Sequence, residues 1–482
     1  MSEDKHTLVD AKGKNPPLTQ DQPSPPARVL AEERRMGPCE RFLQGLYAQG
    51  IFVTLSGLLI SGPLDERILR QALAVIQRRH PLLRVHVPRP GHDFVTEGTE
   101  PIPFRVVQRD SPDHWKMAIE EELNRANPCG RHPLIRLVWV TDRQSMEHEI
   151  LMVMSHAIGD GITTLLLVYD FLNACQAALE GTSNLTESLE SLPPMEALIP
   201  RWMKEKQTKV PQKAAGILPI DQKASPSRRR TRILFRVIDP QFTKRLAARC
   251  REQGGTVHGA LCAASLKACR ALDTDDRELG LSTNINLRDW LEPPVPFFHV
   301  GTYISSVTTH HLITLASDFW ALAREVNSAV SQAIERVQYL DVDQLKKWEK
   351  SSRFALWFWG KIMRFATRFV VPRIRAGRLQ ALNVTNMGRV PYSLQFGPFK
   401  VKAAFGTSSQ HLMGSSMQVS VGTFGGAMCF AFTYAEPILR PARAGQFIEA
   451  FECELRRAIG DETAEESLQA LDARSEPAAA ER

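Results

Sequence analysis

A short polar run between two apolar stretches constrains the fold of this chain more than any other feature. Residues 149–154 have the apolar, β-prone composition of a buried strand. The run Ser155-His156-Ala157-Ile158-Gly159-Asp160-Gly161 follows directly, and residues 162–174 have the composition of a buried helix. A strand that turns at once into a helix predicts an α/β unit. The end of the strand fixes the backbone of His156, so that its ring can project into a cleft.

Three residues of this run have distinct chemical uses. His156 carries an imidazole whose ordinary pKa, about 6.5, lets the neutral form take a proton from a hydroxyl or an amine near neutral pH. Asp160 can cap backbone N–H groups at the start of the helix or pair with an arginine. Gly161 permits a tight turn with close backbone approach. The alternative interpretation is a core histidine with satisfied hydrogen bonds beside an ordinary Asp-Gly turn.

Helices and strands alternate in both halves of the chain, which predicts the α/β class. The run Pro63-Leu64-Asp65-Glu66 begins a helix that ends at His80, because the residue before a proline is pushed out of the helical region. Further helices are predicted at 115–125, 240–251 and 256–271, the last capped by Thr256. Strands are predicted at 82–87, 134–140, 233–238, 418–421 and 427–434, the last two as a hairpin.

Shifts in composition divide the chain into five parts. Residues 1–30 and 465–482 are polar and are predicted to be disordered tails. Residues 181–230, rich in Pro, Ser, Lys and Glu, are predicted to link an N-terminal lobe at 31–180 to a C-terminal lobe at 231–464.

Bulk composition excludes several classes of protein. With 43% hydrophobic residues, the chain has ample material for a core. The eight cysteines are scattered without C-x-x-C spacing, so we expect reduced thiols, no metal site and a cytoplasmic protein. We find no secretory signal and expect no segment apolar enough to span a membrane. The net charge of +7 suits an anionic ligand and equally suits none, and no pattern favours nucleic acid.

Several motifs together resemble one superfamily, the chloramphenicol acetyltransferase-like fold. His156 to Gly161 matches its His-x3-Asp-Gly signature, and further matches extend over roughly residues 34 to 460. The superfamily includes condensation domains of peptide synthetases, polyketide-associated acyltransferases and alcohol acetyltransferases. The other matching segments are Arg35–Phe42, Arg79–Arg84, Asn127-Pro128 with Pro133–Arg136, Asn286-Leu287-Arg288 with Val300-Gly301, and Asn386-Met387-Gly388.

The resemblance implies a fold and a reaction. The fold would be two similar lobes forming a pseudo-dimer, with an active-site tunnel between them. In the tunnel, His156 would act as general base while an acceptor hydroxyl attacks a thioester, without an acyl-enzyme or a bound cofactor. The donor would be acyl-CoA or a separate acyl carrier protein. Asp160 would be structural and pair with Arg288, and Asn386, Ser415 and Ser416 are candidates for oxyanion or substrate contacts.

Two departures from the family pattern narrow the reaction. Condensation domains usually carry a second histidine before the catalytic one, and Ser155 occupies that place here. The Asp-Phe-Gly-Trp-Gly segment of the plant branch is also missing. Transfer to a small alcohol is therefore favoured. The alternatives are amide formation on an amine and a non-catalytic module that docks carrier proteins.

Residues 353–375 combine aromatic and basic side chains in an unusual way. On a helical wheel, Arg353, Lys361, Arg364 and Arg368 share one narrow side, with phenylalanines beyond it. Such a segment could rest on a membrane surface or cover a lipid-binding tunnel. The favoured interpretation is a helix packed between the lobes, with basic ends that reach solvent.

Overall fold

The computed structural model describes residues 34–142, 145–183, 185–206, 216–273, 275–337, 365–370 and 373–461. The tails predicted at 1–30 and 465–482 lie outside the described residues, and so does most of the segment 353–375.

The described residues form ten α-helices and twelve β-strands. The helices are α1 (Pro38–Tyr47), α2 (Glu66–Arg79), α3 (His114–Leu123), α4 (Gly161–Glu180), α5 (Met195–Leu198), α6 (Arg201–Lys206), α7 (Pro240–Glu252), α8 (Val257–Ala268), α9 (Phe319–Glu335) and α10 (Pro441–Ala458). The strands are β1 (Val53–Ser61), β2 (Phe104–Gln108), β3 (Ile135–Thr141), β4 (Glu147–Ser155), β5 (Arg230–Ile238), β6 (Arg277–Asn286), β7 (Ile304–Ile313), β8 (Leu382–Arg389), β9 (Gln395–Phe396), β10 (Phe399–Ser408), β11 (Met417–Phe424) and β12 (Ala427–Glu436).

The strands form two six-stranded mixed sheets. The first has the order β2-β3-β4-β1-β10-β9, and the second has the order β5-β12-β11-β8-β6-β7. Each sheet is covered by helices and has its own apolar core, so the predicted α/β fold with two lobes is confirmed.

The chain crosses between the two sheets near its C-terminal end. Strands β9 and β10 follow β8 of the second sheet in sequence, yet β10 pairs antiparallel with β1, with Thr54 opposite Ser408. Residues 395–408 therefore belong to the first sheet, although they lie within the span predicted as the C-terminal lobe.

Local signals account for most helix ends. The Asp65 side chain accepts a hydrogen bond from the Ile68 N–H at 2.7 Å, and α2 ends at His80 as predicted. The strand predicted at 82–87 is wrong: Pro81–Arg84 is a short 3-10 helix. Pro81 stands in the first turn of this helix, where its missing N–H is not needed, and Leu82 and Leu83 are both buried.

The stretch predicted as a linker packs against the second core. It contains α5 and α6, and the side chains of Met195, Leu198 and Met203 are buried in that core. Residues 181–230 therefore contribute apolar contacts as well as the connection between the two halves.

Helix α4 is longer than the sequence suggested. By length and composition it could cross a membrane, contrary to our expectation that no segment would qualify. In this protein 72% of its most apolar window is buried, however, and the helix packs against α2 in the first core. It is therefore accounted for as a core helix.

Candidate active site

The backbone of His156 is held from two directions at the end of β4. The Ser155 side chain donates a hydrogen bond to Oε1 of Gln44 at 3.1 Å and accepts one from the Ala157 N–H at 3.2 Å. The hydroxyl of Thr302 donates to the carbonyl of His156 at 2.5 Å. Since Thr302 lies just before β7 of the second sheet, His156 sits where the two halves meet.

The His156 ring is recessed but not sealed. The residue keeps partial exposure, while Ser155 and residues 157–160 are buried. Its Nδ1 atom is buried and makes no hydrogen bond to another described residue. Burial lowers the pKa of His156, and a hydrogen bond with its own backbone and the Asp160 charge oppose that shift only in part. The imidazole is therefore neutral at neutral pH, as a general base requires.

The Asp160 carboxylate accepts hydrogen bonds from backbone N–H groups and from an arginine. It is the N-cap of α4, and its Oδ1 accepts a hydrogen bond from the Thr163 N–H at 2.9 Å. Its Oδ2 accepts from Nη1 of Arg288 at 2.6 Å and from the Tyr303 N–H at 3.0 Å. Burial opposes ionisation, but Arg288 and these N–H donors hold the pKa of the carboxyl below its ordinary value. Its oxygens thus serve the loop and not the His156 ring.

Arg288 extends this contact into a network between the two halves. The guanidinium is buried and stacks on the Tyr303 ring, with 5.1 Å from its central carbon to the ring centroid. Thr163 links α4 to the same region, because its hydroxyl donates to the Gly301 carbonyl at 2.9 Å and accepts from the Gly301 N–H at 3.2 Å. The start of α4 is therefore anchored to the segment between β6 and β7.

The two glycines of the motif differ in how closely they are packed. A Cβ atom added to Gly161 would lie 3.6 Å from the Met387 side chain, an ordinary van der Waals distance. One added to Gly159 would lie 2.6 Å from Cγ2 of Thr163 and 2.9 Å from Sδ of Met154. The tight approach predicted at Gly161 is therefore found at Gly159.

The three polar residues considered for the oxyanion are engaged elsewhere. Oδ1 of Asn386 accepts a hydrogen bond from the Gly388 N–H at 2.9 Å. Ser415 is buried beside Gln410, and the Ser416 hydroxyl accepts from the Leu218 N–H at 3.3 Å. Within the described residues, no hydrogen bond joins any of the three to His156. Their role as oxyanion donors stays a proposal.

Sequence reasoning missed Thr302, Thr163 and Tyr303, which complete the site. All three lie close in sequence to motif residues. No local sequence pattern indicates that Thr302 will contact the carbonyl of His156, 146 residues away. Across the described parts of the chain, no cluster of three His, Cys, Asp or Glu side chains is arranged to hold a metal.

Comparisons with known proteins find one matching family and several proteins of similar structure. Residues 225–351, about a quarter of the chain, match the family described as phthiocerol/phthiodiolone dimycocerosyl transferase C-terminus. The structure of polyketide synthase associated protein 5 from Mycobacterium tuberculosis is similar over 90% of this chain and 99% of that one, with a TM-score of 0.62 and 15% identity. Trichothecene 15-O-acetyltransferase from Fusarium sporotrichioides is similar over 88% of this chain and 95% of that one, with a TM-score of 0.63 and 12% identity.

The chain has the chloramphenicol acetyltransferase-like fold. Condensation domains share it as well, so the fold expected from the sequence motifs is confirmed. Chondramide synthase from Chondromyces crocatus is 29% identical over an alignment of 170 residues, which covers 32% of this chain and 4% of the synthase. The chain thus corresponds to a small part of that relative.

Proposed function

We propose that this chloramphenicol acetyltransferase-like protein transfers an acyl group from a thioester donor to an acceptor hydroxyl, with His156 as general base. One observation carries the proposal. A neutral, partly accessible imidazole lies at the junction of the two halves, and its backbone is fixed by Thr302. A histidine enclosed in the core would not keep the partial exposure of His156.

The chemistry follows from which nitrogen is reachable. Because Nδ1 is buried, Nε2 takes the proton from the acceptor as its oxygen attacks the thioester carbonyl. The carbon–sulfur bond then breaks, and the proton on Nε2 goes to the leaving thiolate. Asp160 keeps the turn in place through Arg288 and takes no proton. Donor and acceptor would approach from opposite faces of a tunnel between the halves.

Thiol release measures this reaction directly. Wild-type protein and His156→Ala are compared over a panel of acyl-CoA and acyl-pantetheine thioesters with small alcohols as acceptors. We expect thiol release from the wild type and a loss of at least about a hundredfold in the variant, the usual contribution of a general base. Equal release by both proteins contradicts the assignment.

Amide formation on an amine acceptor is the second candidate. It is favoured by the condensation domains that share the fold, whereas the acetyltransferase that shares it favours an alcohol. Ser155 supports the alcohol acceptor, because its hydroxyl is engaged with Gln44 and the Ala157 N–H and supplies no second base. Running the same thioester panel with amine acceptors decides between them. A non-catalytic docking module is contradicted by any turnover that depends on His156.

The acyl donor can be coenzyme A or a separate acyl carrier protein. Both present the same pantetheine thioester, so either can serve at His156.

Contact with a lipid surface is also part of the proposal. It is supported by five large apolar side chains that are exposed in the described parts of 365–379. They are Phe365, Phe369, Val370, Ile374 and Leu379. Amphipathic exposure of this kind suits the edge of a membrane.

A further inference from the structure

The side chain of Met387 lies in a slot between glycines of three different elements. Gly161 begins α4, Gly406 lies on β10 of the first sheet, and Gly422 lies on β11 of the second sheet. A Cβ atom added at these positions would lie 3.6, 3.1 and 3.4 Å, respectively, from atoms of Met387. Met387 itself is on β8 of the second sheet, yet its side chain belongs to the core of the first.

Glycine is a costly way to make room for one core side chain. In a strand or at the start of a helix, it is less stabilising than alanine. The three glycines therefore make room between the halves for one thioether, and distances of 3.1–3.6 Å show that the Met387 side chain fills this room. Methionine is the unbranched, adaptable side chain that packs against such irregular walls.

A buried hydroxyl on the same face of the sheet has no hydrogen-bond partner among the described residues. Ser56 pairs directly with Gly406 across β1 and β10, so its side chain lies on the face where Met387 packs. Ser56 is 5% exposed, and its Oγ has no hydrogen-bond partner among the described residues. Buried hydroxyls in folded proteins are normally satisfied. A polar atom of a bound acyl group or acceptor would supply the missing partner.

The slot also lies beside the reacting centre. Gly161, which packs against Met387 Cγ and Sδ, closes the turn that begins at His156. An acyl chain whose carbonyl is held at His156 can therefore extend along this wall until it meets the thioether.

We propose that Met387 sets the length of the acyl group that the site accepts. This inference rests on the proposed acyl transfer and names the residue that limits its substrate. Truncation to alanine removes three heavy atoms and opens room for about two to three further chain carbons. A larger phenylalanine closes the slot and favours shorter chains.

The test is a chain-length profile with acyl-pantetheine thioesters from acetyl to palmitoyl, measured as kcat/KM by thiol release. We expect Met387→Ala to move the preferred length upward by about two to three carbons, with about tenfold discrimination for each methylene at the new limit. Met387→Phe should move it downward, and the near-isosteric Met387→Leu should keep the wild-type profile.

A matched control separates this effect from general loss of packing. Met428 is also buried, on β12 in the second core. Met428→Ala should lower the melting temperature without changing the chain-length profile. A Met387→Ala profile parallel to that of the wild type overturns the inference, whatever its effect on stability.

A binding experiment tests the role of Met387 even if the proposed acyl transfer is wrong. If the wild type releases no thiol from any thioester, acyl transfer is wrong, and the slot is probed by calorimetric binding of S-alkyl pantetheine thioethers of increasing length. A longer preferred alkyl chain in Met387→Ala than in the wild type supports the role of Met387. The same preference in both proteins, or no dependence on length, overturns it.

Discussion

Asp160 and Arg288 are 128 residues apart in sequence, and a hydrogen bond of 2.6 Å joins their side chains. Their side chains are 2% and 3% exposed, so this ion pair is fully enclosed. It connects the turn after β4 to the segment between β6 and β7. The position of His156 therefore depends on a contact between the two halves and not on the turn alone.

Replacing Asp160 by asparagine should destabilise the whole protein. The change leaves the Arg288 charge buried without a counter-ion, which typically costs about 3–5 kcal/mol. We expect a large drop in melting temperature together with loss of activity. Glu66→Gln is the control, because its ion pair with Arg70 is exposed and should contribute only about 0.3–0.5 kcal/mol. A stable Asp160→Asn protein that had lost only turnover would indicate a direct acid role.

Activity should persist at pH values below the ordinary pKa of histidine. Burial lowers the pKa of His156 below 6.5, so the neutral base persists as the pH falls to that value and is lost only further down. The same shift means that the folded state binds fewer protons than the unfolded state, so this residue lowers stability as the pH falls through 6.5. A pH profile of kcat/KM between 5 and 8.5 checks this. An acid limb with its midpoint above 6.5 would contradict it.

Local chemistry predicted the elements that lead into the site. Asp65 was recognisable as the start of α2, because a carboxylate before an apolar helical repeat caps its N–H groups. The strand, turn and helix around His156 were predicted for the same kind of reason. Arg288 was found only through a resemblance to a family, since nothing near it in sequence indicates that it will contact Asp160.

Contacts between distant segments were not predictable from local patterns. Strand β10 pairs with β1 across more than 300 residues, and an alternating strand carries no mark of its future neighbour. The role of Thr302 was not predictable for the same reason, because it depends on a contact with the distant His156 carbonyl. The strand predicted at 82–87 failed because an apolar run after a proline fits a buried 3-10 turn equally well.

The described part of 365–379 should bind anionic membranes. Phe365 and Ile374 are 60% and 61% exposed, and burying such side chains at a lipid interface is favourable. We expect the wild-type protein to float with phosphatidylglycerol vesicles and the double variant Phe365→Ser/Ile374→Ser to float much less. Leu315→Ser is the control, since Leu315 is 85% exposed in a different part of the chain. Absence of wild-type flotation would rule out the membrane contact and favour a helix packed between the lobes.

Gly159 should tolerate alanine much less well than Gly161, although Gly161 is the glycine of the recognised signature. A Cβ at Gly159 collides with the methyl group of Thr163 at 2.6 Å. That methyl cannot rotate away without breaking the hydrogen bonds between the Thr163 hydroxyl and Gly301. We expect Gly159→Ala to destabilise the protein by about 1–3 kcal/mol, the usual cost of overpacking.

Gly161→Ala provides the internal comparison for this prediction. The added methyl meets Met387 at an ordinary 3.6 Å, and alanine is a better helix former at the first position of α4. Its melting temperature should therefore stay near that of the wild type. Thermal denaturation of both variants gives the answer, and equal losses would mean that the turn itself, rather than Thr163, demands glycine. Since Thr163 also anchors α4 to Gly301, we expect Gly159→Ala to lower activity in step with stability.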